Sequence, residues 1–182
     1  MVENLLIIDI ETDSLNTRSA HILELGVASL DLGSGKIDLL IDTFVRPDCS
    51  ENSWNQCWYM NNSGVSAEDI RDAPDFNVIR PQLENELKYP ATAYNNEFDF
   101  SILAQHGIKI LQPWPCLMRT CTPILKLPGK YGDYKFPKFI EAWHHFFPHE
   151  RLVDAHRAGA DAINEARLAF ELYRGGYLKG LE

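Results

Sequence analysis

The sequence predicts an α/β domain with a mixed sheet, and three observations lead there. Residues 4–10 (NLLIIDI) are short and almost wholly apolar, the pattern of a central strand buried on both faces. Residues 21–28 and 36–45 are two further strand-like runs joined through Gly33-Ser34-Gly35, a tight turn that makes them an antiparallel hairpin. Beyond them, strand-like runs alternate with helical patterns, the order of elements in a layered α/β fold.

The remaining elements follow in turn. Residues 47–64 form a long polar stretch with two Trp and two Cys, and such a loop is more often functional or partner-facing than idle. Ser66, three residues before Asp69, marks a helix start with a capping box. Residues 75–88 form a second helical stretch, which Pro81 is expected to break or kink. Residues 91–94 are a short strand, and residues 97–106 a helix closed by Gly107. Residues 116–118 read as another strand and 119–127 as a short helix, followed by a Gly-containing basic loop at 128–135. Residues 136–147 form a helix with Phe139, Ile140, Trp143, Phe146 and Phe147 on its apolar face. The last helix runs from about residue 156 to 173, where Gly175-Gly176 stops it. With no repeat, low-complexity tract or linker, residues 1–182 are expected to form one domain.

Composition narrows the class. Of 182 residues, 45% are apolar and 24% charged, which excludes a disordered or collagen-like chain. No apolar run approaches the ~18 residues of a membrane span. The N-terminus has neither a basic segment nor a cleavage-site pattern, and the four cysteines form no CxxC pair. A reduced, cytoplasmic setting without membrane attachment is therefore expected. The net charge of −9 is not that of a typical nucleic-acid binder. It is compatible with a small site whose carboxylates hold cations.

Asp9 and Glu11 lie two apart at a strand end, so both carboxylates share one face. Their repulsion is relieved by a divalent cation, and an unpaired charge at Asp9 would be costly within its apolar run. Asp99, flanked by Phe98 and Phe100 just past a strand, should lie partly buried in the first turns of a helix. His156 and Asp161 are five apart and do not share a helical face, so their cooperation requires His156 at or before the helix start.

The segments Ile8-Asp9-Ile10-Glu11-Thr12, Asn95-x-x-Phe98-Asp99 and His156-x-Ala158-x-x-Asp161-Ala162 resemble, in order, the three motifs of the DEDDh, or DnaQ-like, 3′-5′ exonucleases. Residues 21–26, 44–47 and 65–76 also resemble the family's intermediate stretches. The resemblance implies a ribonuclease H-like fold with a five-stranded sheet in the order 3-2-1-4-5. It implies four metal-binding acids, Asp9, Glu11, Asp99 and Asp161, holding two Mg²⁺ or Mn²⁺ ions, with His156 as general base. It places Ile10 and Thr12 against the terminal nucleotide and Asn95 near its sugar or phosphate. The implied substrates are 3′ ends of single-stranded DNA or RNA, with DNA ahead of RNA and nucleoside 5′-monophosphates released. A polymerase or other replication or repair protein is the implied partner. Tyr94 stands where many members have His, and Arg119 where many have Asp.

Other readings stay open at this stage. Ile10 is equally a core residue. Lys126, Lys130, Lys135 and Lys138 either track a strand or sit on an ordinary solvated loop. Trp54, Trp58 and Tyr59 either stack bases or cover the sheet edge. Aspartate-nucleophile phosphatases share the apolar strand ending in Asp but want Asp, not Glu, two residues on. An exoribonuclease acting on short RNA and a non-catalytic nucleic-acid-binding module are the alternatives within the fold.

Overall fold

The structure, a computed structural model, describes residues 4–152 and 156–180. Residues 154–155, which lead into the third motif, lie outside the described residues. The apolar run at the N-terminus forms β1 (Asn4–Thr12), whose residues Leu5 to Ile8 are fully buried. β2 (Ile22–Asp31) pairs antiparallel with β1, and β3 (Ile37–Phe44) antiparallel with β2. β4 (Ala91–Thr92) pairs parallel with the other edge of β1, giving the order β3-β2-β1-β4.

The mixed α/β class matches the expectation, but four strands pair among the described residues, not five. The fifth position is taken by residues 112–114, which make a single parallel bridge, Ala91 to Pro113. Ala91 N–H donates to the Gln112 carbonyl, and Trp114 N–H to the Ala91 carbonyl. Pro113 and Pro115 flank Trp114 and lack the N–H donors that would extend the ladder. Residues 116–118 are not a strand either: Leu117 opens a helix.

Eight helices are described: α1 (Glu51–Trp54), α2 (Trp58–Asn62), α3 (Ala67–Asp72), α4 (Phe76–Glu86), α5 (Asn96–Gln105), α6 (Leu117–Leu125), α7 (Phe139–Phe146) and α8 (Ala158–Arg174). The Ser66–Asp69 capping box forms at the start of α3 as the spacing predicts. Pro81 does not end α4, because Phe76, Ile79 and Leu83 bury one face of that helix and tertiary packing outweighs the lost backbone bond. The 47–64 stretch is not an open loop. It folds into α1 and α2, and buries Trp54 and Tyr59 with Leu23, Val65 and Ile70 in a small core of its own.

Strand alternation sets the two main cores. Leu6, Ile8 and Ile10 pack with Ile79 and Leu83 of α4 and Ile102 and Leu103 of α5. Leu5 and Ile7 face the opposite side, with Leu117 of α6, Ala142 of α7 and the buried face of α8. Asp9 and Glu11 continue this odd-numbered series, so the sheet delivers both carboxylates to the α8 side.

α8 crosses the sheet unusually closely. Its buried face is built largely from Ala158, Ala162, Ala166 and Ala169. Gly26, the β2 partner of Asp9, sits directly beneath its first turn. A Cβ at Gly26 would lie 2.1 Å from the Ala158 carbonyl oxygen and 2.6 Å from the Gly159 nitrogen. Both are backbone atoms, so the helix itself would have to move. Gly26→Ala is therefore expected to cost about 3 kcal/mol, the upper end of ordinary overpacking. Thermal denaturation should show a fall in Tm of roughly 6–12 °C; an unchanged Tm would show that the helix start is free to shift.

Candidate active site

The three motif segments converge where β1 ends. Carboxylate oxygens of Asp9, Glu11 and Asp161 all lie within 4.8 Å of one another. Asp161 belongs to the first turn of α8, and its Oδ2 accepts the Arg157 N–H at 3.2 Å. Asp99, on the first turn of α5, is 5% exposed, and the Ile10 N–H donates to its carboxylate. The backbone between the two β1 acids thus reaches the acid of the second segment.

A fifth carboxylate joins them. Glu165 lies one turn beyond Asp161 on α8, is 4% exposed, and accepts the Tyr94 N–H on Oε2 at 3.0 Å. The sequence reading missed it. The signal was its spacing of four from Asp161 in an alanine-rich helix, which puts both acids on one face.

This crowding shows in the proton affinities. Burial, then the charges of Glu165, Asp99, Glu11 and Asp161, hold Asp9 well above the ordinary carboxylate range. Burial, then Asp99 and Asp161, do the same to Glu165 against the opposing pull of the Tyr94 amide. Burial raises Asp99 to about 8, although the Ile10 amide favours its anion. Such a group of acids either retains protons or accepts cations.

His156 sits two residues before α8, on the incoming segment, with φ at 46°. The left-handed region is uncommon for a residue other than glycine, so neighbouring contacts must hold it there. The Trp58 ring meets the imidazole edge-on at 4.7 Å between centroids.

Beside the acids opens a cavity of about 480 Å³, lined by Ile10, Thr12, Leu15, Trp58, Tyr59 and Phe98 among others. Ile10 serves two purposes, since it is 5% exposed within the core and also walls this cavity. The loop forming the cavity's rim is held by Asp13, which accepts the His21 N–H and contacts the His21 ring, both at 2.8 Å. Thr12 Oγ1 donates to the Ser14 carbonyl at 2.8 Å in the same loop.

Asn95 is the N-cap residue of α5 but makes no side-chain capping bond. Asn96 instead ties the turn together, accepting the Ala93 N–H and donating to the Trp114 carbonyl, both at 2.7 Å. Tyr94 points its hydroxyl at the Pro137 carbonyl, 2.8 Å away, and Arg119 pairs with the exposed Glu97. In the basic loop, Lys135 is bound to Glu141 at 2.6 Å, so one of its charges is already balanced.

Comparison with known proteins places this arrangement. The family model RNase_T, described as Exonuclease, matches residues 6–169. No curated protein matches the chain. Among solved structures, the nuclease domain of 3′hExo, a DEDDh family member bound to rAMP, superposes with a TM-score of 0.73 at 15% identity, covering 100% of this chain and 97% of that one. The cell-death related nuclease 4 (CRN-4) gives a TM-score of 0.70 at 16% identity over 97% of this chain and 66% of its own. E. coli Exonuclease I in complex with a dA16 oligonucleotide gives 0.63 at 14%, over 94% and 41%. No described helix is long and apolar enough to cross a membrane. With the family model spanning most of the chain, and the acids in the expected order, this chain belongs to the DnaQ-like 3′-5′ exonucleases of the ribonuclease H-like superfamily, a family of phosphodiester hydrolases.

Proposed function

We propose that this chain removes nucleotides from the 3′ end of single-stranded nucleic acid, DNA ahead of RNA, and releases nucleoside 5′-monophosphates. The observation that carries this reading is the cluster of Asp9, Glu11 and Asp161 beside buried Asp99, opening onto a cavity sized for one nucleoside. The donor set fits divalent metal: hard carboxylate oxygens, crowded until their proton affinities rise. Asp9, Glu11, Asp99 and Asp161 would hold two ions, Mg²⁺ or Mn²⁺. When bound, the ions supply Lewis-acid activation of water and neutralise charge developing on the phosphate.

The chain's own residues do the rest. Neutral His156 accepts a proton from the attacking water at a ring nitrogen. Ile10 and Thr12 hold the terminal nucleoside against Trp58 and Phe98, and Asn95 faces its sugar or phosphate. The expected setting is cytoplasmic, where thiols stay reduced.

Matched 5′-labelled DNA and RNA oligonucleotides, digested with Mg²⁺ or Mn²⁺, test the reading directly. Expected are a ladder shortening from the 3′ end, faster on DNA, and resistance of a circular single strand; rapid cutting of the circle would overturn it. Excess chelator should abolish activity, and Asp9→Asn or Asp161→Asn should lower it by orders of magnitude in a protein that still folds. His156→Ala should reduce turnover by about 10²–10⁴-fold, the usual worth of a general base. Metal affinity measured by calorimetry should be unchanged in that variant.

The same acids predict an unusual stability profile. Their folded-state pKa values are raised, so the folded chain binds protons more tightly than the unfolded one. The metal-free protein should be most stable below the ordinary carboxylate pKa near 4 as far as these groups go, and lose that contribution as pH rises toward about 8. Divalent metal should reverse the loss, by about 2.7 kcal/mol at a hundredfold excess over Kd. Denaturation across pH 4–8 with and without Mn²⁺ checks this; a metal-free Tm that rises steadily over the window would contradict the burial of these acids.

A further inference from the structure

Glu24 is the most deeply buried acid outside the carboxylate cluster, with no exposed side-chain surface. It stands directly opposite Glu11 in the β1–β2 register, so the two side chains share a face of the sheet. A bare charge there would both pay full desolvation and repel Glu11. Both costs are offset, because Arg157 and Tyr59 converge on Glu24. The Arg157 Nε donates to its two oxygens at 2.9 and 3.2 Å, and the Arg157 Nη2 lies 2.9 Å from Oε1. The Tyr59 hydroxyl donates to Oε2 at 2.5 Å. The Phe44 ring lies beneath the guanidinium, 4.7 Å from it.

Arg157 is the residue after His156. Its backbone N–H is held by Asp161, and its side chain by Glu24. Both ends of one residue are therefore fixed next to a histidine in the left-handed region. From the other side, Tyr59 anchors α2 on the same Glu24, and its neighbour Trp58 meets the His156 ring. The two short helices within residues 47–64 thereby acquire a purpose.

We propose that Glu24 is a positioning residue which, through Arg157 and Tyr59, holds His156 in its working place beside the acids. The proposal rests on His156 being the general base. A bidentate fork onto a buried carboxylate specifies orientation as well as charge, which a flexible single contact would not. A displacement of about 1 Å in a reacting group costs on the order of 10²-fold in rate.

A double-mutant cycle tests it. Glu24→Gln and the paired variant Glu24→Gln/Arg157→Gln, which leaves no charge unpaired, are made with and without His156→Ala. Both should fold by circular dichroism and lose about 10²-fold in kcat. KM for a DNA oligonucleotide should stay within about threefold, because ground-state binding is untouched. Mn²⁺ affinity by calorimetry should be unchanged. In the His156→Ala background the same changes should cost nothing further, since the group they position is gone. An equal loss in both backgrounds would overturn the positioning role while leaving the base assignment intact. If His156→Ala alone loses nothing, the base assignment fails, and the positioning role with it. Arg157→Lys, which keeps the cation but not the fork, should lose most of the same activity; full activity in that variant would also overturn the proposal.

Discussion

Like charge held out of water, where β1, α5 and α8 meet, is the constraint on which the rest of the structure depends. Asp9, Asp99 and Glu165 are each pushed toward the protonated form by burial before any neighbour is counted. Their mutual repulsion adds to that. A chain left to its local preferences would turn such side chains out to solvent. It cannot, because β1 is locked from both faces by apolar packing through Leu5, Leu6, Ile7 and Ile8. The cores on either side of the sheet thus supply the stability that the acid cluster removes, which is the usual relation between a preorganised site and its scaffold.

Topology turns this constraint into geometry. The odd-numbered face of β1 carries the acids, and the same face of β2 offers Gly26 and Glu24 opposite Asp9 and Glu11. Each has a distinct effect. Gly26, having no side chain, lets the backbone of α8 descend until Asp161 reaches Asp9. Glu24 brings a negative charge beside Glu11 and is balanced at once by Arg157 and Tyr59. Glu165 takes the Tyr94 amide, so the turn leading into Asp99 is fastened to the helix that carries Asp161. Every acid of the cluster is consequently fixed by backbone, not by a flexible loop.

Features carried by adjacent residues were legible in the sequence. β1 and the hairpin follow from apolar runs and a glycine turn, the start of α3 from Ser66 and Asp69, and the end of α5 from Gly107, whose φ is 76°. Helical angles required His156 at or before the start of α8 if it was to cooperate with Asp161, and it sits two residues ahead of that helix. Features that depend on distant partners were not legible. The 47–64 stretch looked open because the residues that bury Trp54 and Tyr59, such as Leu23 and Ile70, lie elsewhere in the chain. A strand was expected at 116–118 from its apolar residues, but the neighbouring prolines decide the hydrogen bonding at that edge. Glu24 lies within the strand-like run 21–28, and nothing near it points to its partner Arg157, 133 residues away. Glu165 was not singled out, because its burial depends on α8 presenting that face to the sheet.

The charge of the whole molecule becomes intelligible on the same footing. At −9, its long-range field repels a polyanion, and the loop containing Lys135 is partly neutralised by Glu141. Association with a nucleic-acid end must then draw on short-range terms. In the proposed reading the cavity at the end of β1 offers one, because Ile10, Leu15, Trp58 and Phe98 would present apolar and aromatic surface to a base without reading its edge. The acid cluster would offer the other, since cations held there as proposed would reverse the sign of the local field close to the bond to be cut. Both attractive terms act at a single terminal nucleotide, so the acidic surface and the proposed preference for a strand end have the same physical origin.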